Sequence, residues 1–581
     1  MKVVSNTYKE VMNQTVRPAS KFQASLEMID RSIESDATVV TSKPMEFSSG
    51  VYDKVHECDY VTFEKDFFKV GSGLRIAPSS MNECLKNGYV SSVMSDENGV
   101  FQEIPIIEFE FSRIRNFVAM TYEFGRAYPT QIRVTYYLEG EQIGQFVSTP
   151  DDVNFIDNVN HISDCDRITF EFLSMSEPNR RLRIARLVFG YEKKFETGDI
   201  ISTDHTMSVD PLSSSLPYEK ITMRVSNYTK DYNPDNPQGI WEYFNNAQPL
   251  SVRYGITTDN GTEWVEAGRL VLSDAPTVDG ETATFEAVDK LSTLTDIYYR
   301  GVWRDAGISL YDLALDVLSD CDVIDYILDE SLKNIITYYP MPVLPHRECL
   351  QVIANAGQCV LYTNNKGFIV IEKQTLDESP EDFHLDFAKM FDKPVITKTE
   401  ELKSVDVSVH TLRKDSSKTE LCKHDSLEIY GEKEIQVTYD MATDFEIYIE
   451  DGELISTVFC ATTAFLKIKA DTTVSVVMMG YKIIDDTSVI STKVNSRGEI
   501  CPIDNPLVTD ESRARMMGTW VATYLSSRNS YEASIRQDFA LDVNDVILIK
   551  SEFEDNIPAR VTKLQYKLPG QQGAVSVRRM K

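Results

Sequence analysis

Residues 204–255 read DHTMSVDPLSSSLPYEKITMRVSNYTKDYNPDNPQGIWEYFNNAQPLSVRYG. Near the end of this stretch Leu250, Val252 and Tyr254 alternate with Ser251 and Arg253, leaving one apolar and one polar face. Successive strand side chains point to opposite faces, so this spacing predicts a strand with one buried side. The run YNPDNPQG, 232–239, breaks the pattern; proline removes donors and Asn and Gly favour turns, so it reads as a loop. The same alternation recurs outward at Ile132, Val134 and Tyr136, at Ile168, Phe170 and Phe172, at Ala283, Phe285 and Ala287, and at Val405, Val407 and Val409. CVLYTNNKGFIVIE, 359–372, reads as a hairpin turning at Asn364 to Gly367, where Asn and Gly accept positive φ.

Helices are few. Ser309 can cap a helix in which Asp312 favours the N-terminal dipole and Leu310, Leu313, Val317 and Leu318 share a face. His346 to Ala356 reads as a second helix with Gly357 as its stop. A third runs from Glu511 to Arg528, with Met516, Trp520, Thr523 and Tyr524 expected on one side. The fold class is mainly β and multidomain. The acidic run LDESPEDF, 376–383, reads as a solvated connector.

The chain has 581 residues, enough for about four domains with cores of their own. Its 90 acidic against 59 basic residues give a net charge of −31. That balance disfavours nucleic acid as the main partner, because phosphate binding relies on concentrated Lys and Arg. Nine scattered cysteines without a C-x-x-C pair make a poor disulfide framework or zinc site, so folding in a reducing cytoplasm is expected. MKVVSNTYKEVMNQ lacks a signal-peptide apolar core, and no run of about 18 apolar residues could span a bilayer.

Catalytic signatures are missing: no Walker A loop, H-E-x-x-H, G-x-S-x-G or EF-hand loop occurs. Gly71-Ser72-Gly73 reads as a turn. His346 and Cys349 lie one helical turn apart, as a catalytic pair or half a metal site would, but no third group stands near and a structural role is expected. Asp204-His205 reads as a surface pair, and Glu108/Glu110 as the solvated side of a strand. Tyr122, Phe124 and Tyr128 gather around Arg126 in EFGRAYPT and form a candidate glycan contact, since sugar faces pack on rings. No catalytic, cofactor or metal residue is assigned.

Three stretches resemble the central hub proteins (tail-tip or baseplate hubs) of tailed phages or of phage-derived contractile devices. The first is 204–255 continuing through Trp264, Gly268 and Leu270 into ETATFEAVDKLSTL, 281–294. The second is Ser309 to Glu372 with Val395-Ile396 and the Val405–Val409 strand. The third is TWVATYLSSRNSYEASIRQDFALDVNDVILIKS, 519–551, closing with RVTKLQYKLPGQQGAVSVRR, 560–579. A fourth match, from YVTFEKDFFKVGSGLRIAP, 60–78, to NRRLRIARLVFGYEKKF, 179–195, resembles the discoidin-like or galactose-binding-like jelly rolls inserted in such hubs.

The resemblance implies a hub segment over 1–50, an inserted jelly roll over 51–195 and a first hub barrel over 196–300. It further implies a helix-plus-hairpin domain over 301–400, a β-rich domain with a further insertion over 401–510, and a last barrel over 511–581. No C-terminal peptidase or lysozyme-like extension is expected. By the same resemblance the chain is expected to be a non-enzymatic homotrimer in the virion tail, assembled in the host cytoplasm, that adapts a six-fold tube to a three-fold tip. Its implied partners are tail tube and distal tail proteins, a spike or tape-measure protein and a host surface glycan, with DNA passing through the channel without specific binding. The alternative reading is a carbohydrate-binding adhesin or wall-glycan hydrolase built from β-modules.

Overall fold

The computed structural model describes residues 1–29, 33–42, 44–47, 64, 88–236 and 240–580, apart from 118, 126, 158, 161, 242–243, 245–246 and 382. Strands hold 55% of the described residues and helices 11%, as the alternating sequence requires. Two compact units result: a sandwich unit, Ser25–Lys194, and a larger unit made of Met1–Ala24 and Phe195–Lys581.

The sandwich unit contains β1 (Thr38–Thr41), β2 (Tyr89–Met94), β3 (Ile106–Phe117), β4 (Met120–Phe124), β5 (Pro129–Leu138), β6 (Glu141–Ser148), β7 (Asn154–Asp157), β8 (Ile162–Met175) and β9 (Arg181–Glu196). One antiparallel sheet runs β1-β3-β8-β5-β6. In the other, β9 lies between β2 and β4, and β7 pairs with β4. Their inner faces share one core in which Ile132, Val134, Ile168, Phe170 and Phe172 are all fully enclosed. Phe109 stands edge-on to Phe189 at 5.0 Å, a favoured aromatic geometry that links the two sheets. The Arg183 guanidinium donates to buried Glu64 at 2.6 Å. Apart from Glu64, residues 60–78 lie outside the described residues, Gly71-Ser72-Gly73 among them.

The larger unit contributes β10 (Ile200–Ser208), β11 (Tyr218–Ser226), β12 (Pro249–Thr258), β13 (Gly261–Leu272), β14 (Thr277–Asp279) and β15 (Thr282–Val288), which form an N-terminal strand set. Helices α1 (Leu310–Asp320) and α2 (His346–Gly357) follow, then the hairpin β16 (Cys359–Thr363) and β17 (Ile369–Lys373). Ser309 accepts from the Asp312 amide at 3.0 Å, the expected cap. Gly367, at φ 82°, makes the hairpin turn. Gly357 does not stop α2. Gln358 instead takes the left-handed cap at φ 55°. Gly357 is small for another reason, since a Cβ there would lie 2.5 Å from Leu332 Cδ2.

Next come β18 (Val395–Lys398), the two longest strands β19 (Leu402–Thr438) and β22 (Thr463–Lys493), and between them β20 (Ala442–Glu450) and β21 (Glu453–Phe459). β19 and β22 pair antiparallel from Ser404↔Lys493 to Thr438↔Thr463. Three register shifts, at 414–418, 420–422 and 424–427, interrupt the ladder; such bulges bend a long ribbon. Its far half, with β20 and β21, encloses Leu466, Ile468, Val474 and Val476 in a core of its own. Near the other end Val405, Val407 and Val409 pack among the helices.

α3 (Glu511–Ser526) leads into a C-terminal strand set: β23 (Asn529–Arg536), β24 (Val546–Ile549), β25 (Ile557–Leu568) and β26 (Gln572–Arg579). α3 buries Ala514, Met517, Gly518 and Val521, whereas Met516 is 56% exposed, so the expected face is turned. The approach of β19 and β22 decides this: a Cβ on Gly518 would lie 2.4 Å from Thr492 Oγ1, so the helix rests on the ribbon through its smallest residue. The connector 376–383 is mostly solvated, but Phe383 is buried.

Candidate functional site

β10 is the hinge of the larger unit. On one side it pairs with β11; on the other, Thr203 to Ser208 pair with Leu568 to Lys563 of β25. Two strands more than 300 residues apart in sequence thereby join their strand sets in one sheet. Following the pairings gives one antiparallel path, β18-β23-β26-β25-β10-β11-β15-β14. The alternation that made each strand legible places its apolar side on one face, and at the joint that face is aromatic. Tyr254 stacks on Phe539 at 4.5 Å and meets Tyr566 edge-on at 5.7 Å.

His205 lies in this joint with its side chain fully enclosed. Its Nε2 is 2.7 Å from Glu219 Oε1 and its Nδ1 3.1 Å from the Tyr254 hydroxyl. The surface reading of Asp204-His205 is therefore half wrong. Period two sends His205 inward, and Asp204, partly exposed, meets Lys567 at 3.4 Å across the joint. The Glu219 amide donates to Asp289 at 2.7 Å, and Asp289 also caps the following turn through the Ser292 amide. Burial raises the carboxyl pKa of both Glu219 and Asp289. A raised carboxyl contributes stability that is present below its unfolded pKa, near 4.5 for Glu, and lost as pH rises through the folded value. Glu219→Gln should thus gain on wild type as pH climbs from 5 to 8; thermal midpoints of both proteins at each pH check the sign.

The residues weighed above for catalysis are engaged structurally. His346 Nδ1 faces the Asp296 carbonyl at 2.6 Å and Nε2 the Asp320 carboxylate at 2.9 Å. Cys349 is fully buried, and burial pushes its thiol up to about 12, far from a nucleophilic thiolate. Glu108 accepts from Thr169 on the neighbouring strand at 2.9 Å. Among the described residues no group of three His, Cys, Asp or Glu is placed to hold a metal, and the described cysteines are free thiols.

No family model matches this chain, and no curated protein matches it. Three solved tail proteins are similar to it. The 43 kDa tail protein of prophage MuSo2 from Shewanella oneidensis is 11% identical, with 66% of this chain and 94% of that one covered at a TM-score of 0.37. The tail protein from Neisseria meningitidis MC58 is 8% identical, with coverages of 67% and 93% and a TM-score of 0.39. Prophage tail protein gp18 from Listeria monocytogenes EGD-e is 8% identical, with coverages of 66% and 91% and a TM-score of 0.38.

The candidate glycan contact does not assemble as a surface. Tyr122 is 0% and Phe124 5% exposed, both on the inner side of β4. Tyr128 packs half-buried against the same core, and Arg126 lies outside the described residues. A ring whose faces are spent on neighbouring side chains has none left for a sugar. The sequence signal was real, but it was the period-two signature of an inward face. What sequence reading missed was the pairing of β10 with β25, which no local pattern announces.

Proposed function

We propose that this chain is a structural phage-tail protein, a trimeric hub at the baseplate or tail tip that adapts a six-fold tube to a three-fold end. One observation carries the reading: the N- and C-terminal strand sets, which resemble the two hub barrels in sequence, run into one another through β10 and β25. Two similar barrels per subunit are what three copies need to present six. The resemblance extends the reading to tail tube and distal tail neighbours, a spike or tape-measure end on the axis, and passage of DNA without specific binding. In this reading the sandwich unit is an inserted jelly roll, an accessory module that contacts host glycan through a surface other than the Tyr122 face. The work is done by shape and contact, without bond-making.

Mass photometry of the full chain at micromolar concentration should show trimers, and cryo-EM of tails should place it on the axis. Monomers alone, together with an off-axis position, would overturn the reading. The competing reading, a wall-glycan hydrolase, is favoured by one feature: a recess of about 370 Å³ lined by Glu372, Glu378, Glu381 and Asp545. Burial raises the Glu372 carboxyl and pushes Asp545 up to about 6, the kind of shift active sites use. A turbidity assay on host walls decides between them. The hub reading expects no clearing by wild type; clearing that Glu372→Gln abolishes would install the hydrolase.

A further inference from the structure

We propose that His410 is a proton-dependent pin between the β19–β22 ribbon and the helices, closed while its imidazole is charged and opened as pH rises. The inference stands apart from the trimer reading. His410 lies on β19 with 8% of its surface exposed, beside the valines that pack among the helices. Its Nδ1 is 2.7 Å from the Asp485 carboxylate on β22, and its Nε2 is 2.9 Å from the Asp504 carboxylate. Asp504 directly follows a short strand, Glu499–Ile503, that runs parallel to β19. A neutral imidazole carries one N–H and one lone pair. Whichever nitrogen kept the proton, the other would turn its lone pair onto a carboxylate oxygen. Only the imidazolium donates to both, and both bonds are then charge-assisted.

The surroundings supply no substitute cation. Among the described residues no Lys or Arg pairs with Asp485 or Asp504, and Arg413 is taken by Asp486 at 3.2 Å. Tyr339 stands edge-on to the imidazole at 5.5 Å. Burial and the same two carboxylates raise its hydroxyl, so it stays neutral and adds no charge. What the pin holds is segment 504–508. Asn505 donates to the Val352 carbonyl of α2 at 2.9 Å, and the His410 amide donates to the Val508 carbonyl at 3.0 Å. The segment thus ties the ribbon to α2 just before α3 begins. Once the imidazole is neutral, two carboxylates face a ring with a single donor. The Asp504 side chain is 74% exposed and rehydrates at small cost, so its bond is the one that opens. Histidine changes charge in the neutral range; the pin is whole on the acid side and lost on the alkaline side.

Hydrogen exchange of the full chain, read by mass spectrometry and corrected for the intrinsic effect of pH, tests this. Between about pH 6 and about pH 9, peptides over 404–412 and 504–508 should lose protection about tenfold, while those over 464–478 keep theirs. His410→Gln, with one donor and one acceptor like neutral histidine, should be poorly protected at both pH values. Asp504→Asn should stay protected at both, because an amide can donate to an unprotonated Nε2. That substitution is on the exposed side, so it keeps the test open if His410→Gln does not fold. Circular dichroism matching wild type establishes that each variant folds. Equal wild-type protection at both pH values, or an equal loss over 464–478, would overturn the pin. So would an Asp504→Asn variant that responds to pH as wild type does.

Discussion

Arg560→Met should cost the larger unit about 3 kcal/mol, measured by urea denaturation followed through tryptophan fluorescence. Arg560 sits on β25 with 1% of its surface exposed. Its guanidinium donates to the Asn544 carbonyl at 2.9 Å, the Thr375 carbonyl at 2.7 Å and Glu378 at 2.9 Å. It thus clamps the loop before β24 and the start of the connector onto the C-terminal strand set. Methionine fills similar volume but makes none of these charge-assisted bonds, and it leaves the half-buried Asn544 carbonyl without its donor. Glu378 is about half exposed and can be rehydrated, so Glu378→Gln should cost under about 1 kcal/mol. Equal losses from the two substitutions would mean that the ion pair, and not the carbonyl clamp, holds the connector.

The second large effect belongs to the sandwich unit. Phe170→Ala should cost about 3–5 kcal/mol, because it removes a fully enclosed ring and leaves a cavity. Phe170 meets Phe109 at 5.8 Å, Phe189 at 6.1 Å and Tyr122 at 6.2 Å, so three neighbours lose packing together. For a unit of this size the midpoint should fall by roughly 10 °C. All four tryptophans, Trp241, Trp264, Trp303 and Trp520, lie outside Ser25–Lys194. Fluorescence therefore reports the larger unit and far-UV circular dichroism both. The substitution should move the dichroism transition and leave the fluorescence transition in place. A shift of both by the same amount would show that the two units unfold as one.

Much of the strand architecture was legible because burial of one face imposes period two on the sequence. Leu250, Val252 and Tyr254, and equally Ala283, Phe285 and Ala287, are enclosed as their spacing predicts. The 359–372 hairpin and the Ser309 cap were readable for a similar reason, since each depends on two or three adjacent residues. Failures cluster where a distant element decides. The face of α3 is set by contact with β19 and β22, strands that lie far from it in sequence or are separated from it by other elements. The aromatics around Arg126 failed differently. Tyr122 and Phe124 lie on one face of β4, and composition cannot say whether such a face looks inward or outward.

The joint between β10 and β25 also sets a timetable. Thr203 leaves the ribosome some 360 residues before its partner Leu568. At about 5–20 residues per second, that delay is on the order of 20–70 s. Throughout it the half-finished chain carries an unpaired edge with Asp204, Thr206 and Ser208 on its outer side. The sandwich and the β19–β22 ribbon can mature during synthesis, but the strand sets cannot close until translation is almost over. Nascent chains at this stage are the form most in need of a chaperone.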